Sequence, residues 1–343
     1  MVTLPDLKLD HLLRLTDCTG IIQHALFSIP NLDSGYTTDD NARALIVAVK
    51  LYENEGDPAT LGLAERYIGF LALAQNGAGK WRNFMDYGRH FLEDEGSEDC
   101  FGRSVWACGY TAASRRGKDL GRLAQILFRR ALPWTSRLIS PRAKAFSLLG
   151  LYHFNSVYRD RETRRIIREL ADSLVLQYRR VARKGWWWFE ESLTYCNGIF
   201  PQALFAAYMA IHKKDYLVVA EEALGFLTDS LFQSGRLKIV GNQGWWQRGG
   251  KPSEFDEQPV DAGVMVQAYL TGYQATGSSD YYKKAWEAFA WFLGRNSVGC
   301  PLYDPETGGC YDGLTPTGVN LNQGAESLLA YLMAHISLRE AEV

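Results

Sequence analysis

Six times along the chain a polar or small-residue start runs directly into apolar positions at helical spacing. The segments read GYTTDDNARALIVAVKLY from Gly35, SEDCFGRSVWACGY from Ser97, SPRAKAFSLLGLYHF from Ser140, SLTYCNGIFPQALFAAYMAI from Ser192, EQPVDAGVMVQAYLTGY from Glu257 and NQGAESLLAYLMAHI from Asn322. They carry little charge beyond their first turn, which predicts helices packed on both sides. Between them, Ala59–Gln75, Leu120–Ile139, Thr163–Arg180, Tyr216–Leu231 and Tyr281–Gly294 mix apolar positions with Arg, Lys and Glu, the pattern of helices with one wet face. Lys8–Leu15 supplies a sixth such helix to pair with the last inner one. The starts are separated by roughly 62, 43, 52, 65 and 65 residues, a supersecondary repeat rather than a copied sequence. The pattern predicts an all-α ring of six helical hairpins spanning residues 1–343 as a single domain.

The connections sharpen this picture. From inner to outer helix they are brief and polar, as in ENEGDP, YRDRE and HKKD. From outer to inner they are mostly long and rich in glycine and aromatics, so one rim of the ring carries both the long loops and the inner-helix N-termini. Long loops in a compact body are usually functional, and the site is expected on that rim. Short strand pairs are expected there around Trp81–Phe91 and Gly185–Glu190.

Composition narrows the classes. With 47% hydrophobic residues the chain can bury a large core, and no stretch is apolar for the ~18 residues of a membrane span. A net charge of -2 gives no electrostatic case for nucleic acid or an anionic membrane as partner. The start MVTLPDLKLDHLLRLTD lacks the basic n-region and apolar core of a secretory signal, so a cytoplasmic location is expected. Cys18, Cys100, Cys108, Cys196, Cys300 and Cys310 form no CxxC and are expected to be reduced thiols.

Six of the ten tryptophans (Trp81, Trp186, Trp187, Trp188, Trp245 and Trp246) fall in the long connections with Tyr36, Tyr87, Tyr303 and Tyr311. Singly such rings pack loops onto helices; clustered on one rim, they suit the C–H faces of sugars. Carboxylates recur beside them. Asp39 and Asp40 precede Arg43 at helical spacing, Glu98 and Asp99 precede Arg103, and Glu190, Glu191, Glu257, Asp261 and Glu326 would converge on the same rim. Each alone reads as a helix-capping acid or a salt bridge. Together they can raise one another's pKa and divide into proton donor and base, as glycosidic hydrolysis requires. Acids on helix starts, such as Asp40 and Asp99, are expected to stay ionised, while Glu190, Glu191 or Glu257 in aromatic loops desolvate more readily into donors.

Other chemistries lack their patterns. His11, His24, His90, His153, His212 and His335 show no HExxH, and Cys300, Cys310 and His335 form no zinc spacing, so neither metal nor organic cofactor is expected. No GxSxG, Walker sequence or strand-borne GxGxxG occurs.

Six hairpins, one aromatic and acidic rim, and the starts GYTTDDNARAL, SEDCFGR, EQPVDAG and NQGAES resemble the (α/α)6-toroid, or six-hairpin, glycosidase superfamily over essentially the whole chain. DCTGIIQHALFSIPNLDSGYTTDDNARAL is similar to a group of bacterial proteins, and to regions attached to some bacterial glycosyltransferases, found near mannoside-processing genes. The resemblance implies an (α/α)6 toroid with short β-hairpins on one face and a glycoside hydrolase of inverting type acting on oligosaccharides, mannose-containing ones included. It implies association with a glycosyltransferase or mannoside-processing enzyme. Carried onto this sequence by position, the catalytic candidates are Asp40, Asp99, Glu257 and Asp261. Tyr36, Asp39, Arg43, Trp81, Asn83, Tyr87, His90, Glu98, Arg103, Trp187, Glu191, Trp245, Trp246, Gln258 and Glu326 are the substrate-binding candidates. Sugar 2-epimerases of the same fold, using histidines such as His90 and His24, remain an alternative. So do polysaccharide lyases, with Arg43, Arg82, Arg89, Arg103 or Arg248 neutralising an acidic sugar, and non-catalytic carbohydrate-binding modules.

Overall fold

A computed structural model describes residues 3–342. Among them are twelve helices: α1 Asp10–Leu15, α2 Thr38–Glu55, α3 Pro58–Ala74, α4 Glu98–Ala112, α5 Lys118–Thr135, α6 Pro141–Tyr158, α7 Arg161–Val181, α8 Ile199–Ile211, α9 Lys214–Leu231, α10 Pro259–Thr276, α11 Ser279–Phe289 and α12 Ala325–Ala341. The even-numbered helices pack in succession and α12 returns to α2, which closes an inner ring. Each odd-numbered helix backs a ring helix, α1 serving α12 across the two ends of the chain. This is the (α/α)6 toroid.

Local sequence explains the two layers. In α7, Ile166, Ile167, Leu170, Ala171, Leu174, Val175 and Tyr178 are buried at i, i+4, i+8 spacing, while its many arginines face water. The ring helix α10 is buried nearly all round, from Pro259 to Tyr269. Where α4 meets α6 the backbones touch: a Cβ on Gly109 would lie 2.2 Å from the carbonyl oxygen of Gly150. Only glycine permits that approach.

Thr37, Ser97 and Ser140 cap α2, α4 and α6 by accepting the backbone N–H groups of Asp40, Cys100 and Ala143. The inner-to-outer connections are two to five residues long, whereas five of the six outer-to-inner connections, 16–37, 75–97, 182–198, 232–258 and 290–324, are long. The sixth, 136–140, is short.

Two expectations need correction. The fourth inner helix begins at Ile199, not Ser192; Ser192–Leu193 is a strand paired antiparallel with Trp246–Gln247. Between them the chain turns, with Asn197 Oδ1 accepting the Thr194 N–H, its amide donating back to the Thr194 carbonyl, and Cys196 at φ 49°. Phe84–Met85 pairs with Tyr36–Thr37 across the first two hairpins and also locally through a Met85–Phe91 bridge, whereas Gly185–Glu190 holds only an isolated bridge from Trp186 to Arg183. All six cysteines are free thiols, and no described helix is long and apolar enough to cross a membrane.

Candidate functional site

The first turns of α2, α4, α10 and α12 meet at the centre of the rim. Arg43 follows Asp39 by four residues and Asp40 by three, so its side chain can reach both along α2. The Arg43 guanidinium lies 2.9 Å from Asp40, 3.6 Å from Asp39 and 2.7 Å from Glu326 on α12. Arg103 of α4 brings its Nε within 2.9 Å of Asp39, an ion-pair contact off the hydrogen-bonding line, and its guanidinium 4.0 Å from the centre of the Phe146 ring. Both arginines are buried. Buried guanidiniums are costly without such partners, so the carboxylates and arginines hold one another in place.

The acids differ in what surrounds them. Asp261, in the first turn of α10, is 4% exposed and its Oδ2 has no hydrogen-bond partner. Burial pushes its pKa up to about 7, only partly opposed by the Cys196 and Asn197 backbone N–H groups and by Arg142. Burial likewise raises Asp40 to about 6, against Arg43 and the Thr37 hydroxyl, which donates to it at 2.6 Å. Glu326 is half-exposed. Burial of its inner part would raise it, but Arg43 and Arg103 outweigh that and hold it below the usual carboxylate range. Asp261 and Glu326 interact electrostatically. One neutral-leaning and one firmly ionised carboxyl thus share the centre.

Glu326 also lines a cavity of about 200 Å³ with His24, Asn242, Asp256, Gln258, Asp312 and Ser327. Asp312 accepts hydrogen bonds from the Gly324 N–H and the Ser327 hydroxyl, and burial raises it. Asn83 accepts the Asp39 N–H through its side chain and the Thr38 N–H through its carbonyl, fixing the entry to α2. Tyr36 stacks on the exposed Tyr87 at 6.1 Å and donates to Asp17 at 2.5 Å.

Other expected residues have partners outside this cluster. Glu257 is fully buried, accepting from the Trp291 indole at 2.7 Å, the Ile239 N–H and the Ser297 hydroxyl, and it anchors loops rather than facing the rim. Glu98 accepts the N–H groups of Ile139 and Ser140 and so fastens the start of α6. Asp99 accepts the Tyr195 hydroxyl at 2.7 Å and the Ser140 hydroxyl at 3.2 Å. Glu191 is exposed and paired with Arg248, and Glu190 with Arg142. His90 has an 80% exposed side chain and touches only Asp86. Trp81 is core, its indole donating to the Leu71 carbonyl. Trp187 projects onto α9 beside Glu221 and Phe226. Trp246 packs edge-on against Trp186, and Trp245 lies 6.4 Å from Tyr195.

Sequence reasoning missed Tyr195, Cys196 and Asn197, which form the turn before α8. Arg103 reaches Cys196 Sγ at 3.5 Å, while Arg142 donates to the Tyr195 carbonyl. The Asn197-Gly198 dipeptide is a turn signal and marks this segment as loop. Among the described residues no group of three His, Cys, Asp or Glu side chains could hold a metal ion.

No family model matches the chain, and no curated protein matches it in sequence. Solved structures do resemble it. Cellobiose 2-epimerase from Bacillus thermoamylovorans is 13% identical, with a TM-score of 0.76 over 97% of this chain and 95% of that one. A D-mannose isomerase is 11% identical, with a TM-score of 0.75 over 97% and 96%. The GH76A α-1,6-mannanase of a Salegentibacter species is 13% identical, with a TM-score of 0.63 over 96% of each chain. The likeness establishes the shared toroid.

Proposed function

We propose that the chain is a carbohydrate-active enzyme, a glycoside hydrolase of inverting type on oligosaccharides that include mannose-containing ones, with Asp261 as proton donor. One observation carries this reading: a buried carboxyl with an unpaired oxygen lies within electrostatic reach of a half-exposed carboxylate held ionised by two arginines. Asp261 gives its proton to the leaving glycosidic oxygen. Glu326 takes a proton from the water that attacks the anomeric carbon, and the C–O bond to the leaving sugar breaks. Asp39, 24% exposed between Arg43 and Arg103, accepts hydrogen bonds from sugar hydroxyls. Tyr87 and Trp245 offer ring faces at the rim.

The test is a panel of defined mannose-containing oligosaccharides followed by proton NMR, wild type beside Asp261→Asn. Release of a reducing sugar, first seen as the inverted anomer and lost in the variant, is the expected result. No release from any glycan by the wild type removes the hydrolase reading. A rival assignment gives the chemistry to Asp39 and Asp40, because a related GH76A α-1,6-mannanase is described as inactive when two adjacent aspartates are replaced. Full activity in Asp261→Asn with none in Asp40→Asn would select it.

Sugar 2-epimerisation is the second reading, supported by the likeness to cellobiose 2-epimerase and D-mannose isomerase and by His24 in the cavity beside Glu326. It requires solvent deuterium at C2 of a recovered free sugar and sensitivity to His24→Ala. The hydrolase reading is preferred because the ring-helix starts supply carboxyls and guanidiniums and no imidazole.

A further inference from the structure

Below the rim, the inner helices enclose a second cavity of about 130 Å³ that runs from Gln202 in the first turn of α8 to Glu340 near the end of α12. Each ring helix contributes to its lining: Lys50 from α2, Trp106 from α4, His153 from α6, Gln202 from α8, Gln267 from α10 and Glu340 from α12. One water needs about 10–15 Å³ of such space, so the cavity holds on the order of ten waters or one small ring-shaped polyol. Exposed Gln274 stands at its edge, which leaves it open to solvent between the short connections.

The lining is polar but carries no unpaired charge. Lys50 and Glu340 form an ion pair at 2.6 Å, with Asn54 also donating to Glu340. His153, beside Tyr110, is held neutral by burial and by the nearby Lys50. Two lining side chains are unsatisfied. Gln202 is 5% and Trp106 6% exposed, yet Gln202 Oε1 and Trp106 Nε1 make no hydrogen bond to any protein group. An acceptor and a donor buried in this way are costly unless something in the cavity engages both. The Trp106 and Tyr110 rings add apolar faces, suited to C–H groups rather than to ions.

We propose that this cavity is a second binding site, for a neutral polyol of monosaccharide size, engaged by Gln202 and Trp106. An anion or a cation finds no free counter-charge there, and a purely apolar ligand would leave both groups unpaired. Trp106 lies one helical turn from Arg103 on α4, and the cavity shares no lining residue with the one beside Glu326. The inference does not depend on which reaction the carboxylate centre performs.

Fluorine NMR of fluorotryptophan-labelled protein tests it, with the Trp106 resonance assigned from Trp106→Phe and with D-mannose, D-glucose and myo-inositol as probes. At least one probe should move the Trp106 resonance saturably. The affinity should fall about tenfold in Gln202→Leu, one lost hydrogen bond to the ligand. Thr271→Phe, which fills the edge of the cavity without touching the unsatisfied pair, should abolish the effect, and Asp261→Asn should leave it intact. Should Gln202→Leu fail to fold, Thr271→Phe decides alone. No saturable movement with any probe, or movement that survives Thr271→Phe, overturns the proposal.

Discussion

Replacing Asp261 by Asn should make the protein more stable at neutral and alkaline pH. The folded carboxyl has a pKa near 7 against 3.8 in the unfolded chain, because burial disfavours its charge. Below pH 3.8 both states hold the proton and the group contributes nothing to the pH dependence. As pH rises, the unfolded chain releases the proton first, so unfolding is favoured by about 1.4 kcal/mol per pH unit until the folded pKa is reached. The wild type therefore loses about 4 kcal/mol from this residue between pH 4 and 7, and no more above it. Asn is nearly isosteric and carries no charge. In a chain of this length about 4 kcal/mol corresponds to roughly 6 °C in Tm. Calorimetric melts of both proteins from pH 4.5 to 8.5 should show curves that nearly coincide at the acid end and separate to that extent above pH 7, the variant higher. A gap independent of pH, or one in which the variant melts lower at pH 8, would refute the argument that burial of a charge dominates at Asp261.

The rate of oligosaccharide cleavage should fall as pH rises through about 7, where Asp261 loses its proton, and Asp261→Asn should cost about two to four powers of ten in kcat. Arg43→Met leaves three carboxyls without their shared cation; it should destabilise the fold by about 3–5 kcal/mol in urea titrations, with no rescue by Arg43→Lys, whose ammonium lacks the fork. Tyr87→Ala should weaken oligosaccharide binding by about tenfold in calorimetry, one stacked ring's worth, whereas Trp187→Ala, on the α9 side, should leave binding unchanged. Gly109→Ala should lower stability by about 1–3 kcal/mol through overpacking of α4 on α6, read from denaturant midpoints.

The ring was legible because its signal is local. One-sided amphipathicity in α7 and all-round burial in α10 are written in consecutive residues, and Thr37, Ser97 and Ser140 mark starts by their own chemistry. Half of the central cluster was legible in the same way, since Asp39 and Asp40 stand at i−4 and i−3 from Arg43. The other half was not, because Glu326 reaches Arg43 from 283 residues away and only ring closure unites them. Helix-start acids that look alike in sequence also separate in space. Glu98 caps the start of α6 rather than its own helix, and Glu257 turns inward onto Trp291. The Asn197-Gly198 turn was legible but lay inside an apolar run that extends the apparent helix back to Ser192.

In the proposed hydrolase the division between donor and base does not follow from helix ends. Asp40, Asp261 and Glu326 all occupy the first turn of a ring helix, where the dipole favours the ionised form by about 0.3–1 kcal/mol. That term is common to the three and too small to set them apart. Asp261 nonetheless stands near 7 and Glu326 below the ordinary range, a separation several times larger. What differs is access to cations and water: Glu326 is half-exposed and touches Arg43, whereas Asp261 is buried with one oxygen unpaired. Arginine contact alone does not set the difference, since Arg43 also touches Asp40, which burial still raises; contact with a cation and with water together separates Glu326 from the two buried aspartates. Glu190 and Glu191, loop acids that the dipole argument favours as donors, each carry an arginine of their own.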